Sequence, residues 1–110
     1  MQVYDTANRL ASEIRESEEY KKYKQRKDEI HGNPEKKKQV EEFEKLRYEI
    51  QLLSFTGQEN AEEKNTKLQE MYETLIKNND IKEYFDLEVK FNVMIADVNK
   101  IIAEAIKDVL

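Results

Sequence analysis

The chain has no cysteine, no tryptophan, one proline, one histidine and two glycines among its 110 residues. Without cysteine there is no disulfide framework, no thiolate metal site and no thiol nucleophile. With only Gly32 and Gly57, neither a phosphate-binding loop nor a dinucleotide fingerprint can be written. His31 stands alone, with no His-x-x-x-His or Glu-x-x-His partner, which excludes the usual di-iron carboxylate bundle pattern. It reads as a turn residue. Ser12, Ser17 and Ser54 lack a Gly-x-Ser-x-Gly setting. Glutamates abound, but without a pocket a chance pair of them is no acid–base site. The expectation is a non-enzyme with no catalytic residue, no metal and no cofactor.

Long apolar runs are missing too. No stretch approaches the roughly 18 apolar residues that span a bilayer. The start, Met1-Gln2-Val3-Tyr4-Asp5, has neither a basic nor an apolar leader region. These absences predict a cytoplasmic protein that does not enter the membrane. A net charge of −5 argues against a general nucleic-acid coat.

What the chain does have is helix. Ala, Glu, Lys, Leu and Arg make up 51 of the 110 residues, near the half expected of long-helix proteins. Val3, Ala7, Leu10, Ala11 and Ile14 predict an amphipathic helix over residues 3–15. Ser17 is a candidate N-cap for a second helix to about His31, with Tyr20, Tyr23 and Ile30 on one face. His31-Gly32-Asn33-Pro34 is the strongest break, with Gly32 suited to a left-handed C′ position, Asn33 to a cap and Pro34 to N1. A third helix runs from Pro34 to about Thr56 on a stripe of Val40, Phe43, Leu46, Ile50 and Leu53, and Gly57 ends it. Asn60 with Glu63 is a candidate capping box for a fourth, with Ala61, Leu68, Met71, Tyr72 and Leu75 on its face. Asn78-Asn79 stops it, and Asp80 with Glu83 forms a second box that opens the last helix, running to Leu110. The fold class is therefore all-α: an antiparallel helical bundle of about five helices with a long C-terminal helix, in a single domain over residues 1–110.

That last helix is apolar around roughly 220° of its circumference, against the roughly 100° of an ordinary surface helix. Tyr84, Phe91, Ile95, Val98, Ile102 and Val109 are the expected core or oligomer-interface residues. Lys82, Asp86, Lys90, Asp97, Lys100, Glu104 and Lys107 form the wet strip. Glu88, Asn92 and Asn99 fall inside the apolar arc; Glu88 is expected at its edge, while the asparagines suit either an edge or a register-fixing place. With 38% apolar and 39% charged residues, one copy has a thin core, and such helices gain burial by oligomerising. The expected partner is a second copy, in a homodimer or higher oligomer.

Two further surfaces stand out. Tyr48, Leu52 and Phe55 lie opposite the core stripe of the third helix. They suit either packing within the chain or a second interface, where aromatics are enriched. Residues 20–38 carry eight basic and three acidic side chains. Lys21, Lys22, Lys24, Arg26, Lys36, Lys37 and Lys38 make this either a solvated helix face or a contact for RNA phosphate or an acidic partner.

In order along the chain come Glu19-Tyr20-Lys21-Lys22-Tyr23-Lys24, Asn33-Pro34-Glu35, the Phe43–Gln51 stretch and Gly57-Gln58-Glu59. Ile81, Phe91 and Ile95-Ala96-Asp97-Val98-Asn99-Lys100-Ile101-Ile102 follow. In this order the chain resembles the YlbF/YmcA family, and most of all its YheA-like branch. The resemblance spans nearly the whole chain. It implies small all-helical bacterial proteins that form dimers or higher oligomers and carry no catalytic residues. Better-known members act as accessory subunits of a complex working with the endoribonuclease RNase Y, influencing RNA processing, competence, sporulation and biofilm formation. Complexes of those members resemble iron–sulfur proteins with cysteine ligands, and this chain has no cysteine to give. The function expected is a homo-oligomeric adaptor linked to RNA processing through other proteins of such a complex. The alternative is direct RNA binding through the Lys21–Lys38 cluster.

Overall fold

A computed structural model describes residues 2–57 and 61–110 of the protein. It holds five helices: α1 Gln2–Glu16, α2 Glu18–His31, α3 Pro34–Thr56, α4 Ala61–Leu75 and α5 Asn79–Ile106. No described residue lies in a strand, so the fold is an all-α helical bundle. No helix among the described residues is long and apolar enough to cross a membrane.

The helix ends follow from local chemistry. One hydroxyl separates α1 from α2: Ser17 Oγ donates to the Ile14 carbonyl at 2.6 Å and accepts from the Tyr20 N–H at 3.2 Å. Asn33 caps α3, its Oδ1 accepting from the N–H groups of Glu35 and Lys36, with Pro34 at the first helical position. Gly57 closes α3 in the left-handed region at φ 70°, its N–H donating to the Leu53 carbonyl. Losing a side-chain acceptor at a cap costs about 1 kcal/mol. The Asn33→Ala variant should lose that much in urea unfolding, and Asn33→Ser only a few tenths.

Three boundaries differ from the sequence reading. Gly32 is not left-handed; Gly57 alone among the described glycines has positive φ. Gly32 continues the right-handed turn, its N–H donating to the Asp28 carbonyl, because Asn33 must already cap α3. α5 is capped by Asn78 rather than Asp80: Asn78 Oδ1 accepts from the N–H groups of Asp80 and Ile81. α5 stops at Ile106, and the N–H groups of Val109 and Leu110 both turn back onto the Ile106 carbonyl. Val109 thus lies beyond the helix. The box expected at Asn60 and Glu63 rests on Asn60, outside the described residues.

The chain forms two compact units. Residues Asp28–Glu83 make one. Its buried side chains are Ile30, Val40, Phe43, Leu46, Leu75 and Ile81. Here α3 and α4 run antiparallel: Phe43 meets Tyr72 with ring centroids 6.1 Å apart, and Lys64 pairs with Glu49 at 3.8 Å. The Arg47 guanidinium lies over the Phe43 ring, 5.5 Å from its centroid. Lys36 Nζ donates to Asp80 Oδ2 at 2.7 Å, so Asp80 serves as an ion-pair partner in the first turn of α5.

The other unit holds the residues up to Lys27 and those from Tyr84 onward. Its centre is aromatic. Tyr23 packs on Tyr84 and on Phe91, each at 5.6 Å, and Tyr20 meets Phe91 at 6.1 Å. The pairings run α2 antiparallel to α5. Tyr84 and Phe85 are buried and touch each other at 5.6 Å. Tyr23 keeps its hydroxyl useful by donating to Glu88 Oε2 at 3.4 Å. That contact accounts for a carboxylate inside the apolar arc of α5. Asn92 and Asn99 are exposed.

Candidate interaction surfaces

The six residues singled out on α5 divide along its length. Tyr84 is buried, and Phe91 is half-buried against Tyr20 and Tyr23. Ile95 and Val98 are half-buried. Ile102 is 50% exposed and Val109 83%. Burial therefore fades toward the end of the helix. Ile101 and Ile106 are also exposed there. α1 in the same unit has no buried residue at all; Leu10 and Ile14 are half-buried, while Val3 and Tyr4 stand out in solvent.

The α3 stripe is the second surface. Tyr48 and Leu52 are exposed, and Phe55 is 87% exposed. Phe43, Leu46 and Val40 on the opposite face are buried.

The basic cluster falls in both units. Lys21, Lys22, Lys24 and Arg26 are on α2, and Lys36, Lys37 and Lys38 open α3. Several of these charges are already answered. Lys36 is tied to Asp80, Lys22 lies 3.8 Å from Glu18, and Lys37 lies 4.0 Å from Glu41. Lys21 and Lys38 are exposed.

Sequence reading missed one further place. Leu87, Val89 and Val93 line a groove of about 430 Å³ together with Glu18, Glu19, Lys22 and Lys90. Val89 and Val93 are exposed apolar residues within the polar strip of α5. Their four-residue spacing sets them on the same face as Lys82, Asp86 and Lys107, and that was the available signal. A polar hollow of about 410 Å³ lies beside the cap of α3. Its titratable lining is Glu35, Lys36 and Lys77, which supplies no second acid and no histidine. Among the described residues no His, Asp and Glu side chains group to hold a metal ion.

An all-helical chain with open apolar faces is common, so comparison with known proteins decides its kinship. A family model described as control of competence regulator ComK, YlbF/YmcA, matches residues 3–107. The chain belongs to the YlbF/YmcA family. The family, rather than the YheA-like branch within it, is what the match establishes. Relatives in bacteria are similar over nearly their full length. A UPF0342 protein of Halothermothrix orenii is 38% identical over 93% of this chain and 86% of its own. One from Symbiobacterium thermophilum is 34% identical over 94% and 93%. One from Staphylococcus aureus is 33% identical over 97% and 94%. The YlbF/YmcA description is a regulatory one.

Proposed function

We propose that this YlbF/YmcA protein is a cytoplasmic, non-enzymatic adaptor that works as a homo-oligomer, built on a dimer. The observation that carries this is the exposed apolar end of α5, in the unit that joins the two flanks of the chain. Ile101, Ile102, Ile106, Val109 and Leu110, with Val3 and Tyr4 of α1, are all exposed in one chain. Scattered single apolar residues need no explanation, but five exposed aliphatic side chains within the last ten residues of the chain do. A second copy is the partner every such chain has at hand.

The link to bacterial RNA processing rests on the family. The adaptor would act there through other proteins of an RNase Y-associated complex, by surface contact, since it has no thiolate to lend to a cluster. Light scattering of the purified protein should give at least twice the chain mass of 13.2 kDa at micromolar concentration. A monomer mass there would end the proposal. RNA binding at low salt that vanished on replacing Lys21, Lys22 and Lys38 by Glu would replace the adaptor reading by direct RNA recognition.

A further inference from the structure

α1 is held more weakly than any other helix. The other four each bury at least one side chain: Ile30 on α2, Val40 on α3, Leu75 on α4 and Tyr84 on α5. α1 buries none, and only its Leu10 and Ile14 are half-buried. Among the described residues, no side chain of α1 makes a hydrogen bond, ion pair or ring contact with another helix. A single residue, Ser17, joins it to α2 and lies outside both helices. The Ser17 N–H and hydroxyl donate to the Ile14 carbonyl behind it. Its hydroxyl and carbonyl oxygens accept from the N–H groups of Tyr20 and Lys21 ahead. A hinge needs one such position at an element's end, where a change in φ and ψ can be absorbed.

α1 also has something to cover. Tyr20 meets Phe91, and Tyr23 meets Glu88. Each step back along α2 is therefore a step forward along α5. Carried through Ser17, that register sets Ile14 level with Asp97 and Val98, and Leu10 level with Ile101 and Ile102. Burial agrees with it. Leu10 and Ile14 are half-buried, and so are Ile95 and Val98 of α5, in the same unit. Towards the open end, Val3 and Tyr4 on one helix and Ile101 and Ile102 on the other are exposed.

We infer that α1 is a hinged flap, which swings out at Ser17 while the other helices stay folded and so uncovers Ile95 and Val98. Two half-buried aliphatic side chains hold it shut, and each gains only part of the transfer energy of full burial. Once open, α1 is a lone helix of 15 residues. A helix of that length is marginal in water, so the open flap loses its helical hydrogen bonds. Opening extends the apolar surface of α5 from Ile101 back towards Phe91. The flap thereby sets how much of α5 is available for contact. This is a property of one chain and holds whether or not the protein self-associates.

Hydrogen exchange of the intact protein, followed by mass spectrometry, tests it. Rates are taken where further dilution no longer changes them, so that self-association does not enter. Amides of residues 2–16 should exchange as one group, at least about a hundredfold faster than those of residues 18–31, because local opening costs less than global unfolding. Leu10→Ala should speed α1 by a further factor of about five and leave α2 unchanged. Equal protection of α1 and α2 would overturn the flap, since α1 would then open only with the rest. A smooth gradient from Gln2 inward, with residues 12–16 as protected as α2, would overturn the hinge at Ser17 and leave simple fraying. Equal acceleration of α1 and α2 by Leu10→Ala would also overturn it.

Discussion

The Tyr84→Ala variant should be the least stable single replacement in the chain, by about 3–5 kcal/mol. Tyr84 is 1% exposed. Its ring packs between Tyr23 and Phe85, with both centroids 5.6 Å away. Removing it discards the burial of a large aromatic, leaves a cavity that helices cannot fully collapse, and breaks two ring contacts worth about 0.5–1.5 kcal/mol each. Domains of this size hold only about 5–15 kcal/mol in total. At roughly 4–8 °C per kcal/mol, the melting temperature should fall by more than about 12 °C. Thermal and urea unfolding followed by circular dichroism measure it. A loss under about 1 kcal/mol would mean that Tyr84 is not packed as described. Phe55→Ala is the matched control: an aromatic truncated on an open face should change stability by no more than about 0.5 kcal/mol.

Charge placed on the open end of α5 should do the reverse, sparing the chain and breaking the assembly. Ile102 and Ile106 are 50% and 41% exposed in one copy. Glutamate at both sites removes little that a single chain uses. In a two-fold interface, however, each replacement occurs twice and each carboxylate loses water. At about 2 kcal/mol per site, the penalty weakens association by roughly a thousandfold or more. The Ile102→Glu, Ile106→Glu variant should scatter light as a 13.2 kDa chain with unchanged helix content. An oligomer mass kept by the folded variant would exclude this end of α5 as the joint. Phe91 is a poor choice for the same experiment, because it packs on Tyr20 and Tyr23 within the chain.

The helices were largely legible because their ends are written in residues with one strong local preference. Asn33-Pro34 and Gly57 work as short-range signals: a cap acceptor, a fixed φ, a free left-handed turn. The reading failed where two local signals competed. Asn78 and Asp80 are equally good caps by chemistry. The choice went to Asn78, and Asp80 is engaged by Lys36, a residue 44 positions away. Gly32 had the composition of a C′ residue but not the room, since the next helix starts at once. For the surfaces, periodicity showed which α5 residues are apolar but not where along the helix cover runs out. That depends on which rings of α2 reach Tyr84 and Phe91. Val89 and Val93 were legible by contrast, since their spacing already sets them on the charged strip, where they are exposed.

The division into units also sets an order in time. One unit is continuous in sequence, Asp28–Glu83, and its α3–α4 pairing closes a short loop. The other joins the two flanks of the chain; Tyr23 and Glu88 are 65 residues apart. Loop closure grows only slowly costlier, about 0.6 kcal/mol per doubling, but distant pairings wait longer to be found. On a ribosome adding about 5–20 residues per second, α1 and α2 emerge seconds before α5 exists to receive Tyr20 and Tyr23. During that interval the apolar stripe of α1 is bare, and neighbouring nascent chains of the same message would display the same stripe.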